Sequence, residues 1–344
     1  MRLVKGGARA SRCVSMSRRF RLPLAFLSTG LLMAGCGVLG GSSGSSSSSG
    51  NRTITVAAVP GVDDAPLYLA RRDGLFRQHG LAVTIRNYPS VKQEIQALGS
   101  GRADIAAGDY ADFFYTASHS PLKLRLIADG YDAAPNVMEV LTLPTSGIRN
   151  PQDLENKNVA TPLPQAIKKT SNLPYSMEML ATQAVLRTDG VSSTSIHWSA
   201  MPEQKMINAL QTGQVQAIVA TQPYILQAEK NLGAVAVLDS CSGVTAGLPL
   251  LGYFSTDAFA TGHSQAVRAF RSALLQAQSS ATMRGPVQTL LTSSKVMNEQ
   301  DAALLTLGQY PTFLSLGQVQ RVADLMYVSG LIATPLAVRG LVLG

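Results

Sequence analysis

"QALGSGRADIAAG", residues 96–108, and "NALQTGQVQAIVA", residues 208–220, carry one cadence 112 positions apart. In each, a helix closes in Ala-Leu, a Ser or Thr precedes a Gly, and an apolar strand follows. Gly101 and Gly213 stand where a helix ends in a left-handed residue, which glycine adopts because it has no Cβ to clash. Val91, Ile95 and Leu98 share one face of the first helix, and Met206 and Leu210 one face of the second, which Pro202 opens. The recurrence predicts two lobes built on the same supersecondary unit.

Working outward, "RTITVAAVP" from Arg52 alternates Ile54, Val56 and Ala58 as a strand does. "GVDDAPLYLARRDGLFRQHG", from Gly61, reads as a turn and then a helix, with Asp63 and Asp64 as caps and Pro66 tolerated in the first turn. "LAVTIRNYP" is a second strand, and Ser90 and Gln93 have capping-box spacing ahead of the helix that ends at Gly101. Strand–helix alternation of this kind predicts an α/β fold with largely parallel sheets.

The chain opens with a leader rich in Arg. Residues 1–35 hold seven of the 29 basic residues and no acidic one, ahead of an apolar run, Leu22–Ala34, of about 13 residues. A spanning helix needs roughly 20, so the pattern is that of an export signal. "LMAGC" resembles the lipobox of bacterial lipoproteins, in which Cys36 is acylated and becomes the mature N-terminus. Two or three acyl chains hold firmly, since each buried CH₂ contributes about 0.8 kcal/mol. Residues 36–51 then read as a Gly/Ser tether, whose flexible part places the domain roughly 20 Å from its anchor. "SRRF" is similar to a twin-arginine signal, so the export route stays open, as does a start at Met16 instead of Met1.

Composition excludes several classes. The whole chain is +8, but beyond residue 35 the balance is 22 basic against 21 acidic residues. The charge therefore belongs to the leader and gives no argument for nucleic-acid binding. Cys241 is the one cysteine after Cys36, so the fold stands without disulfides. His79, His119, His197 and His263 are scattered, without metal-ligand spacing. "GCGVLG" and "GGSSG" lie in the tether, not between a strand and a helix, so neither carries dinucleotide-binding or nucleophile-elbow chemistry. No cofactor and no catalysis are expected.

"PLYLARRDGLFRQHGLAVTI" (66–85), "ALGSGRADIAAG" (97–108), "IRNPQDLENKNVAT" (148–161) and "ATQPYILQAE" (220–229) together resemble the solute-binding proteins of ABC importers in the nitrate/sulfonate/taurine group, which includes binders of thiamine-precursor pyrimidines. The resemblance covers about Arg52 to Ser280. It implies a two-lobed periplasmic-binding-protein (type II) fold, each lobe a mixed, mostly parallel sheet flanked by helices. Lobe 1 would be 52–143 plus 245–344 and lobe 2 would be 144–244, with hinge strands near Glu139–Leu143 and Gly243–Phe254. The resemblance implies a monomer that would capture one small molecule between the lobes and pass it to an ABC permease, outside the cytoplasm and tethered to the membrane through its lipid. An exported receptor for a protein ligand and an exported hydrolase are the competing readings.

Open α/β sheets bind ligands beyond the carboxyl ends of their strands. Those ends offer Asp63, Asp64, Pro66, Ser90, Asp109 and Tyr110 in the first lobe. The second offers Thr161, on the stretch Thr161–Pro164, and Gln222 and Tyr224. Their chemistry is acidic and aromatic, and Lys168 and Lys169 are the only basic pair near a candidate loop. A carboxylate beside an aromatic face suits a cationic or nitrogen-rich heterocycle of the aminopyrimidine type. A sulfonate or a nitrate-like anion remains open.

Overall fold

The computed structural model describes residues 52–162 and 176–343. The leader, Cys36, the tether, Pro164 and the Lys168–Lys169 pair lie outside these residues.

The first sheet begins at β1 (Arg52–Ala58), which pairs in parallel with β2 (Leu81–Asn87) and β3 (Ile105–Asp109). Between them run α1 (Ala65–Arg72), α2 (Leu75–Gln78) and α3 (Val91–Gly99). After α4 (Tyr110–His119) comes β4 (Leu124–Asp132), and the chain then leaves for the second sheet. There it forms β5 (Met138–Thr142), β6 (Asn158–Pro162), α5 (Met177–Thr188), β7 (His197–Met201) and α6 (Glu203–Gln211). The second sheet is completed by β8 (Ala217–Thr221), α7 (Tyr224–Leu232) and β9 (Val235–Asp239). The chain returns as β10 (Pro249–Thr256) and ends in five helices: α8 (Asp257–Gly262), α9 (Ser264–Ala281), α10 (Arg284–Ser293), α11 (Glu299–Leu304) and α12 (Leu316–Val328).

Strand order is β2-β1-β3-β10-β4 in one sheet and β7-β6-β8-β5-β9 in the other. Both are mixed: β10 is antiparallel to β3 and β4, and β5 is antiparallel to β8 and β9. Strands β3 and β8, the two halves of the opening motif, each occupy the centre of five.

The correspondence extends to single hydrogen bonds. The Asp104 amide donates to Thr55 O at 2.8 Å while its carboxylate accepts from Thr55 N at 2.7 Å. At the equivalent place, the Gln216 amide donates to Asn158 O at 2.8 Å and its side-chain oxygen accepts from Asn158 N at 3.0 Å. Both helix ends close the same way, with Ala103 N on Ala97 O and Val215 N on Ala209 O. Gly101 and Gly213 have φ of 69° and 74°, the left-handed region that side chains resist.

Aromatic packing fills the first lobe. Phe113 stacks on Phe254 with ring centroids 4.2 Å apart, and Phe76 on Phe270 at 5.5 Å. The second lobe has two smaller apolar clusters, one on each side of its sheet. Helix α5 serves both lobes. Met177, Leu180 and Ala181 join the first-lobe core, whereas Val185 and Leu186 join a second-lobe cluster.

Three expectations need correction. Strand Met138–Thr142 is hydrogen-bonded into the second sheet, so the crossing segments are 133–137 and 240–248 and the outward crossing falls before Glu139. The single helix expected before Gly80 is broken, because Gly74 adopts φ 71° and divides α1 from α2. Ser90 stands at the cap position of α3 in an extended conformation, but its side chain makes no capping bond. Among the described residues, no helix is long and apolar enough to cross a membrane.

Candidate functional site

The carboxyl ends of the parallel strands in both sheets gather carboxylates. After β1, Asp63 turns back so that Oδ1 accepts from the Asp64 amide at 3.1 Å. A Cβ on Gly61 would stand 2.1 Å from that oxygen, so any other residue there would force the Asp63 carboxylate out of this turn. Asp64 occupies the cap position of α1 yet makes no capping bond. It is wholly buried; Oδ1 accepts from Tyr253 Oη at 3.4 Å and Oδ2 has no partner. The loop is held from behind by Tyr310, whose Oη donates to Val62 O at 2.7 Å and whose ring lies 5.2 Å from that of Tyr131.

Glu94, in the first turn of α3, is also fully buried; the backbone of Val59 lies near enough to favour its charged form, but neither oxygen completes a well-formed hydrogen bond among the described residues. Gly108 makes room for it: a Cβ there would lie 2.9 Å from Glu94 Oε2. Asp109, at the end of β3, joins the lobes. Oδ1 caps α4 by accepting from Asp112 N at 3.1 Å, and Oδ2 accepts from Met177 N at the start of α5 at 2.9 Å.

From the second lobe come Glu178 in the first turn of α5 and Glu203 in the first turn of α6. Glu203 accepts from Thr221 Oγ1 at 3.1 Å, and the neighbouring Gln204 donates to Tyr224 Oη at 2.9 Å. Thr161 is wholly buried at the end of β6 with Oγ1 unpartnered, and Gln222, before cis-Pro223, has an unpartnered Oε1.

These groups feel one another across the seam between the lobes. Burial pushes Asp63 up to about 6, aided by Glu178, and pushes Asp109 up to about 7, again aided by Glu178. Glu203 is raised to about 7 by burial, then by the fields of Glu178 and Asp63. Asp64 and Glu94 are raised well above the ordinary range by burial and then by neighbouring carboxylates. Among the described residues, none of these acids pairs with a Lys or Arg; the salt bridges are Arg72–Asp73, Arg125–Asp257 and Lys230–Asp301. Nor do three or more acids, His or Cys converge as metal ligands.

Of the residues expected from sequence, Asp63, Asp64, Asp109, Thr161, Gln222 and Tyr224 stand at the strand ends. Tyr110 does not belong with them. It is fully buried, donates to Asp129 at 2.9 Å, and packs edge-on against Phe114 and Phe254, because the first turn of α4 turns it into the core. Pro66 is buried in the first turn of α1 and shapes the helix start. Glu94, Glu178 and Glu203 were not anticipated. An acid in the first turn of a helix ordinarily answers the helix dipole, so the sequence offers no sign that burial will enclose it. A cavity of about 600 Å³ lies beside the crossing segments, with Asp132, Arg284, Tyr310, Phe313 and Gln318 in its wall.

Two mixed five-stranded sheets, flanked by helices and joined by two crossing segments, define a two-lobed type II binding-protein fold. The alkanesulfonate-binding protein SsuA of Xanthomonas axonopodis pv. citri, bound to MOPS, has this fold with TM-score 0.66 and 20% identity, over 85% of this chain and 98% of that one. The aliphatic sulphonate-binding SsuA of Escherichia coli is similar at TM-score 0.66 and 17% identity, over 84% and 96% of the two chains. The nitrate-binding protein NrtA of Synechocystis PCC 6803 follows at TM-score 0.58 and 14% identity, over 72% and 68%. No curated protein sequence matches. The family described as NMT1/THI5 like matches residues 62–286, and the chain belongs to that family.

Proposed function

We propose that this protein is the extracytoplasmic solute-binding component of an ABC importer, which captures a small organic molecule between its lobes and delivers it to the permease. The observation that carries this reading is Asp109, whose carboxylate ties the start of α4 to the start of α5 at the mouth of both sheets. Polar groups from both lobes face one another there, so a ligand touching both favours the closed arrangement, with segments 133–137 and 240–248 as the hinge. The partner ATPase drives transport, and this chain needs no catalytic residue. Cys36 is its lipid anchor, and a monomer suffices.

The resemblance and the relatives' names bring sulfonates, nitrate and aminopyrimidines into consideration. The test is a thermal-shift panel of alkyl sulfonates, nitrate, taurine, aminopyrimidines, riboflavin and amino acids on the purified protein. A ligand at 100 times its Kd adds about 2.7 kcal/mol, a shift of a few degrees. One clear hit supports a solute receptor. Silence across anions, cations and neutral solutes sinks it in favour of a protein-binding role. Mass spectrometry of membrane-extracted protein checks the anchor: a mature chain beginning at acylated Cys36 is expected.

A further inference from the structure

We infer that the cleft takes a protonated organic amine, a ligand with full positive charge and several N–H donors, in exchange for protons held on its carboxylates. This rests on the solute-receptor reading and names the ligand class. Two observations lead to it.

The first is the inventory of unsatisfied atoms. At the strand ends, Asp64 Oδ2, both oxygens of Glu94, Thr161 Oγ1 and Gln222 Oε1 are buried without a well-formed hydrogen bond, Glu94 having the backbone of Val59 nearby. Across the described residues, every unpartnered buried side-chain atom is an oxygen and none is a nitrogen. Buried polar groups left unpaired are costly, and native proteins satisfy nearly all of them. A site short of donors calls for a ligand that donates. A sulfonate or nitrate only accepts, so it could pair with the Thr161 hydroxyl or with an acid that keeps its proton, but never with Gln222 Oε1 or an ionised carboxylate.

The second is charge. From the first lobe, the turn before α1 brings Asp63 and Asp64, α1 brings Tyr68, α3 brings Glu94, and α4 with its cap brings Asp109 and Asp112. Facing them are Tyr253 on β10, Tyr131 on β4 and Tyr310, with Glu178 on α5 and Glu203 on α6 from the second lobe. Arg71 acts on the Tyr68 phenol, and its ring contact there lies 5.5 Å from the ring centroid. It bonds to none of the carboxylates. So many buried acids cannot all ionise without a cation. Unliganded, the cleft holds protons; an entering ammonium replaces them.

The raised values of Asp63, Asp109 and Glu203, about 6, 7 and 7, set the window. An aliphatic ammonium stays protonated throughout it, so affinity rises with pH. For each proton displaced, Kd falls about tenfold per pH unit below the folded pKa and levels off above it.

The experiment is calorimetric titration of the purified protein with 1,4-diaminobutane and benzylamine between pH 5.5 and 8. It is repeated in buffers of different ionisation enthalpy to count protons. Benzyltrimethylammonium, methanesulfonate and nitrate are the comparison probes. Binding of an amine with proton release, stronger at higher pH and at least tenfold tighter than benzyltrimethylammonium, is the expected result. Asp64→Asn and Glu94→Gln should lose that binding while unfolding at or above the wild-type temperature, because each removes a buried acid with an unpartnered oxygen. If a variant does not fold, the proton count and pH slope of the wild type decide alone. Binding of methanesulfonate or nitrate without an amine overturns the inference and leaves the receptor reading standing. Amine binding without proton release, equal binding of the quaternary probe, or no amine binding at pH 8 also overturns it.

Discussion

Asp109 is a helix cap whose second oxygen has been given to the other lobe. Truncation to Ala strands the amides of Asp112 and Met177, and Asp109→Ala is expected to lose about 1–3 kcal/mol in urea unfolding. Asp109→Asn keeps one acceptor and should lose less. The acids as a group also set a pH dependence. Asp63, Asp109 and Glu203 have folded values of about 6, 7 and 7 against ordinary values of 3.8, 3.8 and 4.5. The folded state therefore holds protons that the unfolded chain has released. Their contribution to stability is whole below about pH 4 and is lost as pH rises to about 7. Each acid loses at most roughly 1.4 kcal/mol for every pH unit that separates its folded from its unfolded pKa. The unliganded protein is expected to melt at a higher temperature at pH 5 than at pH 8. The opposite order would mean that these carboxylates meet cations already.

At the scale of elements, the repeated helix–glycine–strand unit makes a quantitative claim. Asp104 clasps Thr55 as Gln216 clasps Asn158, in different lobes. Asp104→Ala and Gln216→Ala should each cost about 0.5–1.5 kcal/mol. Because the sites share no partner, the double variant should lose the sum to within about 0.5 kcal/mol in equilibrium unfolding. Gly108 is a different kind of position. A Cβ there would press within 2.8 Å of Phe113, 2.9 Å of Glu94 and 3.1 Å of Val91. Gly108→Ala is expected to cost about 1–3 kcal/mol by overpacking and to displace Glu94 from its place. Circular dichroism melts measure the first effect and amine titration the second.

For the whole molecule, α5 decides how the lobes hold together. Leu180 is buried in the first-lobe core although its helix packs on the second sheet. Leu180→Ala should lose about 2–5 kcal/mol and loosen the lobe seam, seen as faster amide exchange in α5. What was legible beforehand was periodic and local. The two-lobe α/β plan followed from a cadence at residues 96 and 208, since parallel strand–helix alternation has few ways to fold. Gly101 and Gly213 also read correctly, because backbone conformation depends on near neighbours. What tertiary structure alone decided was which side of each element faces the cleft. It sent Tyr110 into the core and moved strand Met138–Thr142 into the second sheet. It also enclosed Glu94 beside Asp64, and set Glu178 and Glu203 opposite Asp63. Long-range pairing sets burial, and burial encloses a first-turn acid that would otherwise face water; no local pattern in the chain encodes that distance.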